Sequence, residues 1–126
     1  MKNIIVITGG CGFVGKNLIE FFIQKTKFKI ISLDDYSSGF KSNHIKSKRV
    51  TYIKGHTKNI SIILIKYKSK IESIFHFGEF SRIYQSFLQM NKCIQSNSIG
   101  SHAVFDFCLK NKIKLIYSAT SASLGN

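Results

Sequence analysis

The stretch Ile4-Ile5-Val6-Ile7-Thr8-Gly9-Gly10-Cys11-Gly12-Phe13-Val14-Gly15 constrains this chain more than any other part of it. Its four leading residues are all β-branched and apolar, which predicts a buried strand. Glycines at 9, 12 and 15 follow at intervals of three, and a helical pattern begins directly behind them. A strand that turns tightly into a helix leaves the first amides of that helix without carbonyl partners, at the positive end of its dipole. Such a junction binds anions. The first glycine permits the turn, the second admits a pyrophosphate close to the backbone, and the third lets helix pack on strand. A glycine triplet alone is weak, because any tight strand-to-helix turn can use one. Here the strand before it and the helix after it supply the context of a dinucleotide site.

The chain behind this junction continues the same pattern. A helix is expected over Phe13 to Lys25, with Val14, Leu18, Phe21 and Phe22 as its sheet-facing stripe. A second apolar run, Phe28 to Leu33, ends at Asp34-Asp35. Asp34 lies 19 residues beyond Gly15, against a separation of about 20 for the carboxylate that accepts hydrogen bonds from the adenosine ribose. A carboxylate there also repels a 2′-phosphate, which predicts NAD rather than NADP. Aspartate is common in turns as well, but its place at the end of a second strand favours the ligand role. Further strands are expected at Val50 to Lys54, Glu72 to Phe77 and Ile113 to Ala119, and helices at Ile60 to Lys70 and Asn91 to Asn111. Five strands alternating with helical patterns make an α/β chain with a parallel sheet. Right-handed crossovers and a switch point beside the first strand give the order 3-2-1-4-5.

Composition narrows the class. A length of 126 residues bounds the chain to one domain. No apolar run approaches the roughly 20 residues of a membrane span, and the run after Lys2 is too short for a signal peptide. Three cysteines, Cys11, Cys93 and Cys108, are an odd number without metal-like spacing, so no metal is expected and the thiols read as reduced and cytoplasmic. Cys11 reads as a small filler of the turn rather than a reactive thiol. The formal charge of +13 raises the question of a polyanion partner. The lysines are nevertheless spread along the chain, arginine occurs only at Arg49 and Arg82, and no basic run reaches five residues. We read the charge as compositional bias and expect no nucleic-acid role.

The wording of the motifs is more specific than their spacing. Thr8-Gly9-Gly10-Cys11-Gly12-Phe13-Val14-Gly15 resembles the T-G-G-x-G-F-[IV]-G signature of the extended short-chain dehydrogenase/reductases, the NAD-dependent epimerases and dehydratases of nucleotide sugars. The resemblance assigns Gly9, Gly12, Phe13, Val14 and Gly15 to the cofactor. Asp34-Asp35-Tyr36-Ser37-Ser38-Gly39 resembles the family's D-N-x-S-x-G, with Asp35 where asparagine is usual, and brings in Asp34, Asp35 and Ser38. Gly55-His56-Thr57-Lys58-Asn59 stands in the place of G-D-[IL]-x-D, both aspartates being replaced. The first of these helps hold the adenine amino group in the family. His56, assigned here with Thr57, can accept a hydrogen bond through one ring nitrogen. His76-Phe77-Gly78-Glu79 opens a segment resembling H-x-A-A-x-x-x-V-x-x-S, which places Phe77, Gly78 and Glu79 beside the cofactor. His76 itself reads as a structural core residue rather than a base. Glu79 and Arg82 suit either substrate or pyrophosphate contact, or a surface ion pair. Asn97 matches the asparagine of N-x-x-G near the nicotinamide, although asparagine is also a common helix cap. In Ser118-Ala119-Thr120, Ser118 aligns with the first serine of S-S-[ST] and Thr120 with the catalytic Ser/Thr, while Ser123 and Leu124 depart from the family's Val-Tyr.

The family's Tyr-x-x-x-Lys pair, its general base and the lysine that lowers its pKa, does not occur. Tyrosines 36, 52, 67, 84 and 117 are followed at i+4 by Phe40, His56, Ile71, Leu88 and Ser121. The resemblance therefore implies a Rossmann-type doubly wound sheet truncated after about five strands. Residues 1–126 would be a partial NAD-binding domain without its substrate-binding region. Its expected function is the NAD-binding portion of a nucleotide-sugar epimerase/dehydratase that works by transient hydride transfer, inactive alone. The alternative is a non-catalytic NAD-binding sensor or scaffold. On the last helix Ile99, Ala103, Val104, Phe107 and Cys108 share a face suited to the sheet, and Phe105 and Leu109 lie opposite. Relatives in this family dimerise through that helix, which implies a homodimer.

Overall fold

The apolar run at the head of the chain forms β1 (Ile4–Thr8), buried along its whole length. A strand covered on both faces has no polar side to show, hence an unbroken rather than alternating apolar sequence. The computed structural model describes residues 1–37, 39–77 and 99–117. Within them β1 is the middle of a five-stranded sheet. It pairs with β2 (Lys29–Asp34) on one side and with Ile71–His76 on the other. In chain order Val50–Lys54 is β3, Ile71–His76 is β4 and Lys114–Tyr117 is β5. Every pairing is parallel and the order is β3-β2-β1-β4-β5, as expected.

The side chains of β1 feed two cores. Ile5 and Ile7 pack with Ile30 and with Ile19 and Phe22 of α1 (Phe13–Lys25). Ile4 and Val6 point to the opposite face, where Ile31, Leu33, Ile71 and Ile74 meet Ile60 and Leu64. The same core takes in Val104, Phe107 and Cys108 of the last helix, Ser101–Asn111. The period-2 alternation of a strand thus becomes a layer of helix on each face.

Three expectations need correction. The sheet-facing stripe of α1 is Gly15, Ile19 and Phe22; Val14 and Phe21 are exposed and Leu18 only partly packed. Gly15 sets this phase, since a Cβ there would stand 2.3 Å from the Gly9 carbonyl oxygen and 2.7 Å from Gly10 Cα. The helix expected over Ile60 to Lys70 is one α-turn, α2 (Ile60–Ile63), between 3₁₀ turns at Thr57–Asn59 and Ile65–Tyr67. Four isoleucines in six positions stiffen the chain against a regular helix, and burial of Ile60 and Leu64 holds the irregular segment instead. In α3 (Ser101–Asn111), Val104, Phe107 and Cys108 are buried and Leu109 exposed as read, but Phe105, 41% exposed, packs edge-on against Tyr117 of β5 and His76 of β4, and Ile99 is half exposed before the helix begins. Residues 91–98, where that helix was expected to start, lie outside the described residues. No helix among the described residues is long and apolar enough to cross a membrane.

Arg49 closes the far end of α1. Its guanidinium donates from Nη1 to the carbonyls of Thr26 (2.7 Å) and Phe28 (3.1 Å), and from Nη2 to that of Ile23. It serves acceptors at the end of the helix and the entry to β2, which the helix itself cannot pair.

Candidate functional site

The carboxyl ends of β1 and β2 open on a cleft, at the switch point where open parallel sheets bind ligands. Gly9, Asp34, Asp35, His56, Thr57 and Phe77, all proposed from the sequence as cofactor contacts, line it together. Leu33, Ser37, Gly39 and Gly55 complete its walls.

The glycine turn forms one side. Gly9 takes a left-handed φ of 73°, which a side chain would resist. Its amide donates to the Leu33 carbonyl at 2.8 Å, and its carbonyl accepts the Gly12 amide at 3.1 Å. Gly12 differs. It sits at φ −84°, ψ 176°, an extended conformation open to any residue. Among the described residues a Cβ there would meet only the Gly9 oxygen, at an ordinary 3.4 Å. Packing among the described residues therefore does not demand glycine at 12, and they leave the space beside it free. Phe13, Val14 and Gly15 contribute the amides of the first helical turn, for which the helix supplies no carbonyls. The Phe13 and Val14 side chains are exposed, and no acidic residue in that turn offsets its positive end.

Asp34 stands at the end of β2, 8% exposed. Its Oδ2 accepts the Cys11 amide at 3.0 Å and its Oδ1 the Tyr36 amide at 2.7 Å. Burial holds its carboxyl above the ordinary carboxylate range, against the opposing pull of those two amides. Each oxygen keeps a lone pair beyond the one already used, so the group can still accept from a ligand hydroxyl. Asp35 accepts the Ser37 amide at 2.9 Å. Ser38 lies outside the described residues.

His56 and Thr57 form the wall beyond β3. His56 caps the 3₁₀ turn, its Nδ1 accepting the Lys58 amide at 3.0 Å. Burial lowers the pKa of the ring, with the Lys58 charge adding to that effect and Asp35 opposing it. The ring nitrogen expected to accept from a ligand is thus engaged by the backbone, and the neutral ring carries its proton on Nε2. Thr57 is 5% exposed. Its Oγ1 has no hydrogen-bond partner among the described residues. An orphaned hydroxyl this deeply buried is costly, and this one belongs to a cleft wall. The buried carboxylate, the orphaned hydroxyl and the free space at Gly12 fit a dinucleotide.

The structure also brings in residues the sequence reading left unassigned. A Cβ on Gly39 would stand 2.8 Å from Cys11 Cβ and 2.9 Å from Asp34 Oδ2. The D-x-x-S-x-G spacing was the available signal for it. Asn43 donates through Nδ2 to the Cys11 carbonyl at 2.7 Å. Tyr36, at a left-handed φ of 64°, hydrogen-bonds His44 Nε2 at 2.7 Å, and His44 stacks on Tyr52 with centroids 3.8 Å apart. These contacts hold the loop after β2 against the glycine turn. Cys11 is fully buried, and burial raises its thiol pKa, as suits a filler residue. His76 is likewise fully buried, with Nδ1 2.7 Å from Thr8 Oγ1 and Nε2 2.9 Å from Ser101 Oγ. It ties β1 and β4 to α3. The Phe77 amide donates to Thr8 Oγ1 at 2.9 Å. Gly78, Glu79, Arg82, Asn97, Ser118 and Thr120 lie outside the described residues.

Comparison with known proteins agrees with this geometry. The family described as NAD dependent epimerase/dehydratase matches residues 5–126. A dTDP-D-glucose 4,6-dehydratase of Dictyostelium discoideum is 32% identical over 129 residues, an alignment spanning 97% of this chain and 30% of that protein. The chain is thus about a third the length of this relative. Among solved structures, an epimerase from Methanothermobacter thermautotrophicus superposes with a TM-score of 0.85 at 21% identity, over 95% of this chain and 36% of its own. The enzyme WbmF of Bordetella bronchiseptica, in complex with NAD+, superposes with a TM-score of 0.84 at 19% identity, over 94% and 37%. A parallel sheet in this order, a glycine turn leading into α1 and a family match over nearly every residue lead to one conclusion: the chain belongs to the NAD-dependent epimerase/dehydratase family.

Proposed function

We propose that these residues are the NAD-binding portion of a nucleotide-sugar epimerase or dehydratase. The observation that carries the reading is the cleft beside β1, which holds both a buried carboxylate, Asp34, and a buried hydroxyl without a partner, Thr57 Oγ1. In this reading the amides of Phe13, Val14 and Gly15 receive the pyrophosphate and Gly12 lets it approach. Asp34 accepts from the adenosine ribose, to which Asp35 and Ser38 are also assigned, and His56 and Thr57 face the base. Phe77, Gly78, Glu79, Asn97 and Ser118 are assigned to the remainder of the cofactor, and Thr120 to the reacting sugar hydroxyl. When bound, NAD supplies a transient acceptor for hydride from a sugar carbon. The substrate class follows the matched dehydratase of a dTDP-sugar. We place the protein in the cytoplasm, where thiols such as Cys11 and Cys108, both free and buried, stay reduced.

Calorimetric titration with NAD and NADP tests the cofactor. Asp34 and Asp35 together oppose a 2′-phosphate, so NAD binds more tightly, and Asp34→Ala narrows the gap. Equal affinities in the unmutated protein refute the assignment.

A second reading is a non-catalytic NAD-binding sensor or scaffold; residues 1–126 themselves contain no Tyr-x-x-x-Lys pair. A missing general base alone forfeits about 10²–10⁴ in rate. We therefore assign binding without turnover to these residues by themselves. NADH formation and sugar conversion assayed across a nucleotide-sugar panel check this, and turnover abolished by Thr120→Val would overturn it.

A further inference from the structure

The segments that lead into the five strands meet at the end of the sheet opposite the cleft. In a parallel sheet every strand is entered from the same side, so residues far apart in sequence come into one row there. Backbone contacts mark out the row. The Ile30 amide donates to the Arg49 carbonyl at 2.8 Å, the Lys29 amide to the Asn3 carbonyl at 3.0 Å, and the Asn3 amide to the Lys70 carbonyl at 2.9 Å. Lys2 Nζ donates to the Lys112 carbonyl at 3.0 Å. These contacts link the entries of all five strands.

Every entry carries lysine. Lys48 precedes β3, Lys2 precedes β1, and Lys27 precedes β2, which Lys29 opens. Lys68 and Lys70 lead into β4; Lys112 leads into β5, which Lys114 opens. All eight are exposed, and none is ion-paired among the described residues. Asp34 and Asp35 stand at the other end of the strands, Glu20 lies within α1, and Asp106 is paired with Lys110 at 3.1 Å. Among the described residues Glu72, the second of β4, is the one acid at the entries. Spread along the sequence these lysines carry no signal; the topology gathers them. Within the entries Met1 is the one large apolar side chain exposed, and Phe28 packs inward, edge-on to Phe22. The row therefore attracts by charge, with little to insert among acyl chains and no exposed ring on which an unpaired base would stack. Five strands about 4.8 Å apart make it about 19 Å long, the length of about six phosphates along one strand of a duplex. We propose that this row is a docking surface for the phosphate backbone of double-stranded nucleic acid, held without regard to sequence. The cleft lies about 16 Å away along the five residues of β1, and the proposal does not depend on the dinucleotide reading.

Fluorescence anisotropy of a labelled mixed-sequence duplex of about 20 base pairs, longer than the row, titrated with the 126-residue chain at several salt concentrations, tests it. Six neutralised phosphates give a slope of log K on log salt of about −5. Lys70→Glu with Lys112→Glu removes two contacts and brings the slope to about −3. Lys41→Glu with Lys54→Glu changes the net charge equally, on exposed lysines away from the entries, and leaves the slope at about −5. Lys27→Gln with Lys114→Gln adds no acid and repeats the loss of the first pair, should circular dichroism show that pair unfolded. No binding of the duplex, or a slope shallower than about −2, overturns the proposal. Equal losses in the entry pair and the control pair trace the binding to the net charge of +13 and overturn it too. Binding to vesicles of phosphatidylserine and phosphatidylcholine with none to the duplex gives the row to a membrane instead. A single strand of the same sequence held more tightly than the duplex overturns the choice of duplex.

Discussion

Replacing Asp34 with asparagine tests whether the carboxylate holds the turn together as its contacts indicate. Both of its oxygens are engaged, Oδ2 by the Cys11 amide and Oδ1 by the Tyr36 amide. Asparagine has one acceptor oxygen, so one of the two amides then faces an NH2 and is left buried without a partner. A hydrogen bond to a charged group contributes about 1.5–3 kcal/mol. Relief from burying the charge offsets part of that loss, since burial is the largest influence raising the Asp34 pKa. A net loss of about 2 kcal/mol is expected for Asp34→Asn. With an unfolding entropy of about 2.1 cal/mol/K per residue, this lowers the melting temperature by about 8 °C. Acidification separates the two contributions. A carboxyl whose folded pKa is raised binds more protons folded than unfolded, so stability falls as pH rises through that pKa. The wild type should therefore gain on Asp34→Asn as pH is lowered from 7 through the raised pKa. The gain is complete below the ordinary carboxylate value of about 3.9. Urea unfolding of both proteins across that range measures the difference. No destabilisation at pH 7, or a wild-type advantage that shrinks on acidification, refutes the reasoning.

Three further outcomes are expected. Gly15→Ala drives a methyl into the Gly9 carbonyl and costs about 1–3 kcal/mol, whereas Gly12→Ala leaves the melting temperature unchanged and weakens NAD binding, as paired melting and titration experiments would show. Native Cys11 and Cys108, the latter with its thiol pushed up to about 11 by burial, resist alkylation at pH 8; peptide mass spectrometry that finds either modified on mixing contradicts the burial. We propose that Phe105 and Leu109, exposed one helical turn apart on α3, meet a second copy of the chain, so Leu109→Lys shifts sedimentation at high micromolar concentration toward the monomer, and a parent that is already monomeric removes the proposal.

The fold was legible where local and long-range demands agree. Ile4 to Thr8 needed no partner to declare itself central, because only a strand covered on both faces stays apolar throughout. Asp34 was legible by its distance from Gly15. The stripe of α1 was read one position out of phase, since Val14, Leu18 and Phe21 outweigh a glycine in any apolar count. Yet Gly15, by having no side chain, is what lets that face approach the sheet. The segment after Thr57 kept its apolar spacing but not its helix, as periodicity does not separate α from 3₁₀ turns in a short run of isoleucines. Arg49 looked like one more basic residue in a charge spread along the chain; its three carbonyl partners belong to the end of α1 and the entry to β2. The donor character of His56 was out of reach for a similar reason. Which nitrogen is free depends on a backbone amide that arrives only when the turn closes.

The contrast between Gly12 and Gly15 reaches beyond either substitution. A library of variants selected only for remaining folded would tolerate side chains at 12 and reject them at 15. The same library selected for holding a dinucleotide would reject both. If the proposed reading holds, position 12 would carry information that no measure of stability can register. Subtracting one tolerance map from the other would trace the outline of the ligand in the sequence itself.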